Sequence, residues 1–352
     1  MPRQPQIFPS PEHVQSLSEK DQTAAEYMRS RMPFATRDVP DVLFPGYEKR
    51  EPTAQEIILL NVTEEYVNDF FDSACEYPPS NIAMEHVRIL EPISPESEKT
   101  FSHENCTGRV GTYLNITLPQ YNERAPEGAR AFIHTAIHEF VHAKAATRWS
   151  VGERTMKQVT GFSVITARTP HAQNGKIPVG DMFFVALNEA LTERITANIF
   201  ARIFASEWYQ TQFSEREKLT EEIREQYIAL LSLNDAEISG IIRMKDRQIG
   251  VVVAYDNERK ILDTLIQCLS HTLKRTHAEI LSLCIVDYCN GTMQHIRPLL
   301  REAFGNDALK VLALWQPHHP DMARDLRAYL TERDPDIREI IANNYLTNYG
   351  EK

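Results

Sequence analysis

The stretch Ala131–Ala146, AFIHTAIHEFVHAKAA, decides how the rest of the chain is read. Phe132, Ile133, Ala136, Ile137, Phe140 and Val141 spread apolar surface around most of a helix, which predicts a helix over 128–147 that is buried nearly all round. Within it, HEFVH places His138, Glu139 and His142. Residues four apart share a helix face, so the two imidazoles can aim at one point, as two ligands of a tetrahedral zinc ion must. Glu139 lies about 100° round the helix from His138 and about 60° from His142, beside the metal position. Left without partners, two buried histidines and a buried glutamate are costly, and a metal is the economical way to satisfy them.

Catalytic zinc takes three protein ligands and keeps one position open. A glycine at 145 and a histidine at 148 would supply one known pattern, but the chain has Ala145 and Arg148. Downstream, Val185–Phe200 reads VALNEALTERITANIF, a helix predicted over 183–205 with Leu187, Ala190, Leu191, Ile195 and Ile199 on its apolar side. Glu189 and Glu193 stand one turn apart on it, and Asn188 precedes them. Two acids on one face repel unless a cation or histidine lies opposite. The expected division has Glu189 on zinc and Glu193 accepting a hydrogen bond from the free nitrogen of a ligand histidine. Two surface glutamates on an exposed helix is the competing reading; Glu153 and Asp181 are the other acids in reach as third ligand.

HEFVH followed by an NEALTE helix resembles the gluzincin group of zinc metallopeptidases, the thermolysin-like clan of the zincins. The resemblance spans about 60–200 of the chain and only loosely touches the helical C-terminal half. It implies Zn2+ held by His138, His142 and Glu189, with Glu139 as general base and Glu193 buttressing a histidine. It also implies an edge strand beside the metal to hold substrate, for which Arg109–Leu118 is the candidate. The interval from His142 to Glu189 is long for the group, the buttress is Glu rather than Asp, and no GxMEN-type element occurs, which favours an endopeptidase over an exopeptidase. A C-terminal residue is expected to stabilise the oxyanion; Tyr255, in AYDNERK, is the first candidate and His271 the second. His134, one turn before His138, reads as a core or supporting histidine, and His318 and His319 as loop residues.

The fold class expected is α+β: a zincin-like catalytic domain, a small sheet plus the active-site helix, with a mainly helical C-terminal subdomain. The expected boundaries are an extended arm over 1–53, which holds eight of the twenty prolines, a metal-binding region over 54–205 and the helical part over 206–352. Upstream elements are a helix opening at Thr63, a strand at Ala83–Leu90, and a strand at Arg109–Leu118 whose Val110, Thr112, Leu114, Ile116 and Leu118 share a face. Gly161–Ala167 has strand character. Beyond 206 the pattern reads as helices throughout, at 214–233, 256–275, 278–288, 293–303, 306–315, 320–331 and 335–345.

The formal charge of −11 repels phosphate backbones and anionic lipid, so neither nucleic acid nor a membrane is an expected partner. A peptide or protein substrate is. The five cysteines form no CxxC pair and suit a reduced interior, and no secretory signal or membrane span is evident, which places the expected location in the cytoplasm. The alternatives to a zinc peptidase are a non-catalytic metal-binding or regulatory protein that keeps the zincin fold, and a structural helical protein in which HEFVH is accidental. Nothing in the sequence speaks to oligomeric state.

Overall fold

The computed structural model describes residues 47–75, 81–82, 84, 87–92, 109–110, 116–123, 128–151, 155–168, 181–213, 240–243, 249–252 and 254–350. The architecture is mixed α+β and mostly helical, with two small four-stranded sheets and a two-stranded hairpin. The first sheet has the order β1 (Tyr47–Arg50), β2 (Val87–Pro92), β4 (Ile116–Pro119), β3 (Arg109–Val110). Its β2 and β4 run parallel, and the other pairs are antiparallel.

Arg109–Leu118 is therefore not one strand. Val110 pairs with Ile116 and Arg109 with Thr117, so β3 and β4 are the two arms of a hairpin, with 111–115 outside the described residues. Residues directly opposite in an antiparallel pair share a face. The alternation that links positions 110 and 116 is satisfied by a single strand or by a hairpin, and of the two arms β3 lies at a sheet edge while β4 lies inside. The strand expected at Ala83–Leu90 is found as β2, shifted toward Pro92.

Helix α1 (Ala54–Ala74) begins well before Thr63 because Thr53 caps it: the Thr53 hydroxyl accepts the Glu56 N–H and the Glu56 carboxylate accepts the Thr53 N–H. Glu56 is buried and also takes two bonds from the Arg50 guanidinium, at 2.7 and 3.0 Å, and one from the Tyr121 N–H at 3.0 Å. One carboxylate thus joins the end of β1, the start of α1 and the chain leaving β4. Burial alone would raise its pKa, but the bonds from Arg50, Thr53 and Tyr121 outweigh burial and hold it below the usual carboxylate value. The stability it contributes is complete above the unfolded-state value of about 4.3 and is lost as pH falls through the lower folded value. Glu56→Gln is expected to lower unfolding free energy by about 1–3 kcal/mol at neutral pH and to shrink the loss between pH 5 and 3. Urea unfolding of both proteins across that range checks it; parallel curves would remove Glu56 from the account.

Helix α2 (Gly128–Lys144) packs between α1 and helix α3 (Val185–Phe204). It is buried along nearly its whole length, as its composition predicts, and its last residue, Lys144, donates to Glu64 of α1 at 2.9 Å. Between α2 and α3 the chain forms an antiparallel meander, β5 (Thr147–Val151), β6 (Thr155–Thr160), β7 (Ser163–Arg168) and β8 (Asp181–Phe183). The sequence marks β7 and an apparent β-hairpin in this interval; the structure has a meander of four strands.

The C-terminal part is helical from α4 (Asp256–Leu273) through α5 (His277–Cys289), α6 (Ile296–Phe304), α7 (Ala308–Leu314), α8 (Pro320–Thr331) and α9 (Pro335–Tyr349). It is not helical throughout after 206: Gly240–Arg243 and Ile249–Val252 pair as the antiparallel hairpin β9–β10. The helix expected at 214–233 lies outside the described residues. One continuous core runs through both parts, with Phe140, Leu191, Leu265, Tyr288 and Trp315 among its members. Cys284 and Cys289 are buried as free thiols, and burial pushes Cys284 up to about 12, which makes it inert. Among the described residues no helix is long and apolar enough to cross a membrane.

Candidate metal centre

Helix α2 presents His138 and His142 one turn apart, and α3 lays Glu189 across from them. His138 Nε2 is 3.2 Å from Glu189 Oε2, His142 Nε2 is 3.1 Å from the same oxygen, and the two ring nitrogens are 3.1 Å apart. Ligand atoms on a tetrahedral ion with bonds of about 2.0–2.1 Å lie about 3.3–3.4 Å apart. The triangle is close to that spacing. The side chains of His142 and Glu189 keep 15% and 16% of their surface exposed, so the cluster can be reached from solvent.

The proton arrangement tests the fit. His138 Nδ1 lies 3.1 Å from Glu193 Oε2 and donates to it, which leaves a lone pair on Nε2 of the neutral ring. In that neutral form the lone pair faces a carboxylate oxygen and a second imidazole nitrogen. With no cation among them, burial would push His138 down, but Glu189 and Glu193 outweigh burial and raise it well above its ordinary value, so a proton fills the place. Three electron-rich atoms converging in this way repel one another unless a cation or a shared proton stands among them. The donor set, two imidazoles and one carboxylate, suits a divalent metal. These three residues form a cluster that could hold a metal ion.

Glu193 is fully buried between two histidines: one oxygen bonds to His138, and the other lies 3.1 Å from His134 Nε2 without the alignment of a hydrogen bond. Burial would push its carboxyl up, but His134 and His138 outweigh burial and hold it well below the usual range. His134 therefore supports the buttress rather than lining the cleft. Glu139 is buried, stands outside the triad, and is near enough for its charge to act on both His138 and Tyr255.

Tyr255 arrives from the start of α4. Its ring stacks on His138, with centroids 5.5 Å apart and planes within 5°, and its hydroxyl is near enough for the Glu189 charge to act on it. Burial first, then the Glu189 and Glu139 charges, push the phenol far above its ordinary value, so it stays a proton donor. Tyr255 sits at φ 50°, in the left-handed region that costs a bulky residue roughly 1–3 kcal/mol. On its outer face lies His318, centroids 5.3 Å apart, itself at φ 59°. His271 is exposed at the opposite end of α4 from Tyr255 and is not brought to the cluster. Asp181 is exposed on β8, and Glu153 lies outside the described residues.

Asn188 has a different task from Glu189. Its Oδ1 accepts the N–H of Phe162 at 2.9 Å and of Ser163 at 3.2 Å, which pins the β6–β7 turn to the ligand helix. Gly161 in that turn has φ +56°, and a Cβ there would come within 2.6 Å of Asn188 Oδ1 and 2.7 Å of the Tyr288 ring. Gly161→Ala is expected to destabilise the protein by about 1–3 kcal/mol through backbone strain alone, with displacement of Asn188 adding to it. Thermal unfolding checks this; an unchanged midpoint would mean the turn is not held as described. Behind His142, Thr192 Oγ1 lies 3.4 Å from Nδ1 and 2.7 Å from the Tyr288 hydroxyl.

No protein-family model, curated protein or solved structure matches this chain. The cluster stands on its own geometry.

Three residues at the cluster, Thr192, Tyr288 and His318, are not among those the sequence marks for the site, for different reasons. Thr192 is three residues after Glu189 and shares its helix face, a signal that was available. Tyr288 and His318 carry no local signal, because only tertiary packing brings them near.

Proposed function

We propose that the protein is a zinc-dependent peptidase of the gluzincin kind, acting as an endopeptidase on extended peptide segments. The observation that carries this reading is the triangle of His138 Nε2, His142 Nε2 and Glu189 Oε2, with a second acid, Glu139, beside it and outside it. Zinc held by those three residues supplies a Lewis acid that polarises a carbonyl and acidifies water.

The chain's own groups do the rest. Glu139 takes a proton from the attacking water and returns it to the departing amine nitrogen, so the peptide bond is cleaved with one water consumed. The Tyr255 hydroxyl, held protonated, donates to the oxyanion that develops on the carbonyl oxygen. Glu193 fixes the tautomer and direction of His138.

The test is metal analysis of the purified chain together with its action on an unfolded protein and a broad peptide library. One zinc per chain with cleavage that chelator abolishes and zinc restores supports the reading. One zinc with no cleavage transfers the site to metal binding or regulation, and no bound metal ends both.

A further inference from the structure

The two imidazoles of the cluster are oriented by unlike partners. His138 is turned by a carboxylate, Glu193, whereas the rear nitrogen of His142 faces a hydroxyl, Thr192 Oγ1. We propose that Tyr288 is a positioning residue for His142, acting through Thr192. This rests on the metal centre but not on the hydrolytic reading.

The protons available to Thr192 fix the direction of each of its bonds. Thr192 has one hydroxyl proton, and the Asn188 carbonyl, 2.8 Å away, takes it. Toward Tyr288 the threonine oxygen can then only accept, so at 2.7 Å the phenol is the donor. One acceptor direction on Thr192 Oγ1 remains, and it faces His142 Nδ1 at 3.4 Å. A neutral histidine that ligates through Nε2 carries its proton on Nδ1 and needs an acceptor there.

Asn188 cannot supply one. Its Oδ1 is occupied by the Phe162 and Ser163 amides, so it turns Nδ2, a donor, toward His142 at 3.5 Å. Thr192 and Tyr288 have no exposed surface, so water does not replace either group. A hydroxyl is a weaker orienting partner than a carboxylate, and its lone pairs are directed only while its own bonds are held. The phenol of Tyr288 holds them, and the Tyr288 ring is in turn wedged against Phe162 in the β6–β7 turn, with centroids 6.1 Å apart.

The experiment measures zinc affinity by competition with a chromophoric chelator, on metal-free protein reloaded with zinc alone. The variants are Tyr288→Phe, Thr192→Val, the double variant and Thr192→Ser. Tyr288→Phe and Thr192→Val are each expected to weaken zinc binding by about 10- to 100-fold, the usual effect of removing an orienting partner. The double variant should be no weaker than Thr192→Val, because both act along one chain of bonds. Thr192→Ser, which keeps the hydroxyl, should bind within about threefold of wild type. Thermal unfolding of the metal-free proteins shows whether each variant is folded, and Thr192→Ser carries the test should Tyr288→Phe not fold. Wild-type affinity in folded Tyr288→Phe, losses that multiply in the double variant, or a Thr192→Ser loss as large as that of Thr192→Val overturns the proposal while the metal centre stands. Wild type that takes up no zinc overturns both.

Discussion

Glu139→Gln is expected to retain one zinc per chain and to cleave an unfolded protein about 100- to 10,000-fold more slowly than wild type. The amide matches the carboxylate in size, so the buried pocket on α2 is not opened or overfilled. The three atoms of the triangle are untouched, because Glu139 is not one of them. What is lost is a group able to accept a proton and hand it on. The charge that Glu139 exerts on His138 and Tyr255 also disappears, which leaves the phenol easier to ionise and changes nothing in the ligand set. Metal content and cleavage rate measured on the same preparation decide the matter. Equal rates with full metal occupancy would take Glu139 out of the chemistry.

His142→Ala is expected to abolish stoichiometric zinc binding. It removes one corner of the triangle and leaves His138 and Glu189 as the two remaining protein ligands, one fewer than such a centre uses. It also leaves the orienting bonds of Thr192 without an object. A bound ion stabilises the folded chain by mass action, about 4 kcal/mol when free zinc is a thousand times its dissociation constant. Chelation should therefore lower the unfolding temperature of wild type and leave that of His142→Ala unchanged. The same result is expected for Glu189→Ala. If either variant still carries one zinc and still responds to chelator, the ligand set is wrong.

The central part of the site is legible in the sequence because it is built from helical spacing. Four-residue intervals bring His138 beside His142 and Glu189 beside Glu193, and a helix apolar on all sides has to be buried. The sheets are less legible. Alternation cannot separate one strand from a hairpin whose paired positions keep the same parity, which is the case for Val110 and Ile116. Strands β9 and β10 pair Gly240–Arg243 with Ile249–Val252, two short β-branched runs on either side of a charged stretch of sequence, a pattern concealed by the helical periodicity read around it. The early start of α1 did have a local signature, Thr53 followed three residues later by Glu56. Tyr288 and His318 had none. Their place at the cluster follows from how α4 and α5 pack on α3 and from how the loop before α8 meets the start of α4, and spacing along the chain does not encode that.

Tyr255, Tyr288 and His318 all follow the ligands in the chain, by margins long enough to matter during synthesis. A ribosome delivers His138, His142 and Glu189 first and the aromatic residues that brace them last. A nascent chain that stops between residues 190 and 317 carries all three candidate ligands but lacks part of their surroundings. Assembly of the full cluster is thereby tied to synthesis through residue 318.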